Sequence, residues 1–126
     1  MSQEQLIQFA TQFVNVFYNA FDTNKANLAN FFQQMSTLTF ETSTVQGQQA
    51  VLEKIQSLPF SSTKHVVSVI DAQQIPSNGV TMVLIKVIGK LSIDNENPHL
   101  FTETFVLAQN NGNWFVLNDI MRLADI

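Results

Sequence analysis

No cysteine occurs in the 126 residues. That excludes a disulfide framework, thiolate metal ligands and a cysteine nucleophile, and it agrees with a reducing compartment. Charge is scarce as well. Asp, Glu, Lys and Arg together make up 13% of the chain, against roughly 25% in an ordinary globular domain. The six basic residues are scattered and the net charge is −4. No basic stripe exists to neutralise a phosphate backbone, so nucleic acid is not an expected partner. No apolar run reaches the roughly 18 residues of a membrane span. The first residues, Met1-Ser2-Gln3-Glu4-Gln5, lack the basic segment that opens a secretory signal. These absences predict a cytosolic or nuclear protein with no membrane span.

Apolar side chains are plentiful. They account for 45% of the chain, including eleven Phe against one Tyr and one Trp, enough for the core of one domain over 1–126. Ser2 and Gln5 carry the signature of a capping box. Leu6, Phe9, Phe13, Phe17 and Phe21 follow at helical spacing, widened by Ala10, Val14, Val16 and Ala20. A polar break at 22–24 precedes a short second helix carrying Leu28, Phe31 and Phe32. Alternation over 37–41 predicts a first strand with Leu38 and Phe40 on one side. Gly47 marks a loop. A third helix over about 48–58 buries Val51, Leu52, Ile55 and Leu58, and Pro59 ends it because it has no N–H to donate.

From His65 onward the period changes to that of strands, predicted at 65–75, 80–93, 100–109 and 114–123. Pro76-Ser77-Asn78-Gly79 and Asn110-Asn111-Gly112-Asn113 read as turns between them. Helices first and antiparallel strands afterwards indicate an α+β domain. The strands are apolar on both faces: Val83, Ile85 and Val87 alternate with Met82, Leu84 and Ile88. Three helices cover one face only. An exposed apolar patch of that size predicts a second copy against the other face.

Several segments resemble the nuclear transport factor 2 family. They are Phe21-Asp22-Thr23-Asn24, Leu38-Thr39-Phe40-Glu41 with Gln46-Gly47, the run from Val51 through Leu58-Pro59-Phe60, and Asn118-Asp119-Ile120-Met121-Arg122-Leu123. They stand in order along almost the whole chain. The resemblance implies a cone: a strongly bent antiparallel sheet wrapped by three helices, the cystatin-like superfold, with an apolar cavity at its open end. It implies a homodimer through the sheet. It also implies a carrier, found in cytoplasm, nucleus and nuclear pore, that binds the GDP form of the small GTPase Ran and the Phe-x-Phe-Gly repeats of nucleoporins. No cofactor and no metal are implied.

The resemblance assigns Ran binding to Glu41, Asp94 and Glu96, three acids around the cavity rim, with Glu96 standing where the vertebrate form has aspartate. Phe40, Phe60, Trp114 and Met121 are candidates for the lining that accepts an aromatic side chain of Ran, although strand parity leaves each equally open to plain core packing. Met121 stands where the family often has Phe. Leu6 replaces the aromatic residue that grips nucleoporin phenylalanines. Lys86, His65 and Ile120 fall at the dimer interface. Lys86 is the misfit there, a cation where Met is frequent. Either its stem lies along the interface with the ammonium at the edge, or it pairs with an acid such as Glu103. His65 without a second imidazole is not a metal site, and a hydrogen-bonded structural role is expected for it.

Two other functions are compatible with such a fold. One is a partner domain in messenger-RNA export. The other is a cavity enzyme of the ketosteroid isomerase kind, which needs an inward general base and often a tyrosine donor. Asp71 or His65 beside Tyr18 would be the candidates.

Overall fold

The structure is a computed structural model describing residues 1–125. Helix α1 runs Gln3–Thr23. The Ser2 hydroxyl accepts the Gln5 N–H at 3.1 Å while the Gln5 side chain accepts the Ser2 N–H at 2.9 Å, so the capping box is closed in both directions. Its inward face carries Leu6, Ala10, Val14, Phe17, Tyr18, Ala20 and Phe21. The stripe is rotated slightly from the expected one: Val16 is exposed and Tyr18 is buried. Asn24 then receives the chain. Its N–H donates to the Ala20 carbonyl, and its side chain accepts from Ala26 to open a 3-10 helix, Lys25–Phe31.

Strands β1 (Phe32–Phe40) and β2 (Ser43–Gln46) form a hairpin, and helix α2 (Gln48–Gln56) follows. Strands β3 (Thr63–Ile75), β4 (Met82–Ile93), β5 (His99–Asn110) and β6 (Asn113–Leu123) complete one six-stranded sheet of order β2-β1-β6-β5-β4-β3. Among the described residues no helix is long and apolar enough to cross a membrane.

The expected antiparallel sheet is present with one parallel pairing: β1 lies parallel to β6, with Leu38 beside Asp119 and Phe40 beside Met121. The first strand also begins at Phe32, which the periodicity placed in a helix. A register shift between Phe32 and Thr37 accommodates Ser36, whose buried hydroxyl donates to the Val116 carbonyl and accepts the Gln33 N–H. Strand β2 was not expected at all. It is short and alternates Thr44 and Gln46 with the single apolar Val45, too little pattern to separate from a loop.

The core lies on one face of the sheet, under α1 and α2. Phe17, Phe101, Phe105 and Ile85 are at its centre, each 0 or 1% exposed. Burial of side chains of this size stabilises the fold by about 1.5–3 kcal/mol each. Gly89 sits on the same face where β3 crosses closest: a Cβ there would lie 2.3 Å from the Val66 carbonyl oxygen and 2.9 Å from the Phe101 ring. Only glycine permits that approach, which adjoins the bulge between Val67 and Val69. The other face is left open. Val66, Val69, Ile88, Leu100 and Ile120 are 41–51% exposed on it, in line with the second apolar face seen in the alternation.

A candidate acidic rim

Strand directions decide which loops meet. The C-terminal ends of β1, β6 and β4 and the N-terminal ends of β5 and β3 lie at one end of the sheet, because Phe40 aligns with Met121, Phe101 with Leu123 and Thr63 with Ile93. The β1–β2 turn and the β4–β5 loop therefore share that end. Glu41 stands in the first; Asp94 and Glu96 stand in the second.

Glu41 is held firmly. It adopts φ +61°, a left-handed conformation uncommon outside glycine. Its N–H donates to the Met121 carbonyl at 2.9 Å, and its carboxylate accepts the Leu123 N–H. Arg122 donates to the Glu41 carbonyl at 2.9 Å and leaves the carboxylate alone. Asp94 and Asn95 both have positive φ, as a tight hairpin turn requires of its central residues. One Asp94 carboxylate oxygen accepts the N–H groups of Ser61 and Ser62, at 2.8 and 2.7 Å. That bond set fastens the loop carrying Phe60 to the loop carrying the acids. Glu96 is exposed, with only its backbone N–H engaged, on the Ile93 carbonyl. The ion pairs among the described residues are His65–Asp22 and His99–Asp125. No cation is therefore paired to any of the three rim carboxylates.

Phe40 and Phe60 are half-buried at this end, and Met121, beside Phe40 in register, is 2% exposed. Three of the expected lining residues thus share the end of the sheet that carries the acids. Trp114 is placed elsewhere. It lies seven residues back along β6, roughly 23 Å away at strand rise, with its ring 4.8 Å from Phe9. Leu6 is likewise corrected. It is 2% exposed in the core, so it offers nothing to a nucleoporin phenylalanine, and an aromatic replacement would overpack the interior.

His65 does not face a dimer interface. Its side chain is 3% exposed and points inward, the ring nitrogen donating to Asp22 at 2.7 Å while its backbone N–H donates to the other Asp22 oxygen at 2.8 Å. Burial opposes ionisation of Asp22, but these bonds from His65 and another from Thr63 together hold its carboxyl below the usual range. This is the structural role expected from the sequence. Lys86 and Ile120 do face outward, Ile120 at 51% exposure. The suggested Lys86–Glu103 pair is not formed, because Glu103 points to the other face, between Phe101 and Phe105.

Glu103 is instead part of an interior cluster. It accepts the Tyr18 hydroxyl at 2.8 Å. Asp119, 1% exposed, lies diagonally across β5 and β6 from it. Burial, with the charge of Glu103 nearby, pushes the Asp119 carboxyl well above its ordinary value and the Tyr18 phenol far upward. His65 stacks on Tyr18 at 4.2 Å. The signal was present in the alternation Phe101-x-Glu103-x-Phe105-x-Leu107, whose parity puts an acid among core residues. The inward His65 beside Tyr18 resembles an enzyme constellation, but the Tyr18 hydroxyl is already bonded to Glu103 and the His65 ring to Asp22, and the hollow beside them is lined by Asn15, Asn19 and Lys64 rather than by an apolar wall. Asp71 points outward. No group of three His, Asp or Glu suited to a metal ion occurs among the described residues.

The family model for the nuclear transport factor 2 domain matches residues 9–123. The chain belongs to that family. It is 44% identical over 115 residues to nuclear transport factor 2 of Candida albicans, covering 90% of this chain and 91% of that protein. To nuclear transport factor 2 of Emericella nidulans it is 47% identical over 116 residues, with the same coverage. The solved structure of nuclear transport factor 2 from Cryptosporidium parvum superposes with a TM-score of 0.86 at 33% identity over 95% of both chains. The nuclear transport factor 2 family is one of transport factors rather than enzymes, and that agrees with an interior packed by phenylalanine.

Proposed function

We propose that this chain is a nuclear import carrier that binds Ran in its GDP form at the rim. It works as a homodimer through the open sheet face, binds Phe-x-Phe-Gly nucleoporin repeats, and moves between cytoplasm and nucleus through the pore. The observation carrying this reading is the set of three carboxylates, Glu41, Asp94 and Glu96, left without a cation at one end of the sheet beside Phe40 and Phe60. A basic side chain of Ran pairs with Glu41, and an aromatic side chain enters between the two phenylalanines. Backbone bonds already hold Glu41 and Asp94 in place, so little side-chain entropy remains to be lost on docking. The repeat-binding surface does not include Leu6.

Immobilised protein should capture Ran loaded with GDP and leave Ran loaded with GTP, and Glu41→Lys should abolish the capture. Equal capture of both nucleotide forms, or of neither, would overturn the reading.

A further inference from the structure

The middle of the outer sheet face carries one charge of each sign. Asp71 of β3 stands directly opposite Lys86 of β4, and Thr104 of β5 lies on the other side of Lys86. The other cations of this face lie toward the rim: Lys64 opposite Ser92, Lys90 opposite Val66 and Leu100, and Arg122 on the Glu41 carbonyl. Around the two central charges the face carries exposed Val69, Ile88 and Ile120, with the uncharged Gln73 and Thr104 next to them.

Lys86 and Asp71 do not pair within the chain. The Lys86 ammonium turns away toward the Thr104 hydroxyl, at 3.4 Å, and neither charge is in an ion pair with a described residue. A hollow of about 140 Å³ lies between them, lined by Asp71, Ala72, Gln73, Leu84 and Lys86. Covering this face with an apolar partner would strand both charges away from water at high cost. A two-fold contact removes the problem, because such an interface sets residue i over j and j over i. A single charge of each sign, side by side, is self-complementary under that operation.

We infer that the Lys86 ammonium pairs with Asp71 of a second copy of this chain, and that the reciprocal pair fixes the register of the two sheets. This rests on the homodimer reading above. It assigns the cation that disturbs the apolar face to specificity, since a copy displaced along the strands would bury both charges unpaired.

The test is sedimentation of the full chain. The unaltered protein should be a dimer. Lys86→Glu sets two acids together and Asp71→Lys two bases, so each variant alone should dissociate about tenfold or more readily. An equimolar mixture of the two should restore a heterodimer, because both cross-pairs then join opposite signs. A monomeric unaltered protein would overturn the homodimer reading itself. A stable dimer in which Lys86→Glu changes nothing would overturn only the charge pair. Two weakened variants that fail to rescue each other would place the pair within one chain and overturn the inference. Lys86→Gln serves as a gentler variant if charge reversal disturbs the fold, and it too should weaken the dimer.

Discussion

The rim and the interior use carboxyl groups in opposite ways. Glu41, half-buried, and Asp94 and Glu96, exposed, stand at the end of the sheet with no cation attached. Glu103 and Asp119 lie within the same sheet, on β5 and β6, 5% and 1% exposed in the core. The chemical group is the same; the strand parity and the depth differ. A carboxylate kept in water carries no desolvation penalty until a partner arrives, so its charge is available for docking. A carboxyl buried in the core must find a proton or a donor inside the molecule, and there it ties β5, β6 and α1 together.

The contrast breaks most clearly by reversing a rim charge. Glu41→Lys should weaken Ran-GDP binding by at least about 2 kcal/mol, or roughly thirtyfold, and lower stability by a smaller amount, about 1 kcal/mol, for the lost bond from the Leu123 N–H; titration calorimetry beside a thermal melt reads both. A comparable loss of stability would mean Glu41 is a fold residue instead. Glu103→Ala is the mirror experiment. It opens a cavity and leaves the Tyr18 hydroxyl without its acceptor, and denaturant unfolding should show a loss of about 3 kcal/mol.

Asp119 sharpens the contrast through pH. Its carboxyl keeps a proton in the folded state at values where the unfolded chain has lost it. Folding therefore takes up a proton, so this contribution is fully present below the unfolded value, near pH 4, and declines as pH rises, by up to about 1.4 kcal/mol per unit. Asp22 has the opposite sign. Its carboxyl is held low by His65, and its contribution, present above pH 4, is lost on further acidification. Asp119→Asn should flatten the stability profile above about pH 4, measured by urea unfolding at several pH values. An unchanged slope would remove Asp119 from the account. The smallest effect is expected at Glu96, whose side chain makes no bond among the described residues. Glu96→Gln should lower the association rate of Ran a fewfold, and the difference should shrink with added salt.

Much of the fold was legible because it is written in local patterns. The Phe17 and Phe21 stripe, the capping box at Ser2 and Gln5, the stop at Pro59 and the turns at Gly79 and Gly112 each depend on neighbours in sequence. The rim acids were legible only through family resemblance, since nothing local distinguishes Glu41 from any charge at a strand end. Trp114 and Leu6 were placed by resemblance, but the end of the strand and the face of the helix decide where they sit. Asp22 was visible as a polar break and not as the carboxylate that receives His65 across forty-three positions.

The sequence by itself determined the class of the domain, its apolar strands with two faces to cover, and the family to which it belongs. These follow from periodicity and motif order, which are properties of adjacent residues. Only the tertiary structure decided that β1 runs parallel to β6, that Glu103 is turned inward while Lys86 faces out beside Asp71, and that the loops of Glu41, Asp94 and Glu96 gather at one end. Those facts depend on register between strands distant in the chain, where a shift of one residue turns every side chain to the other face.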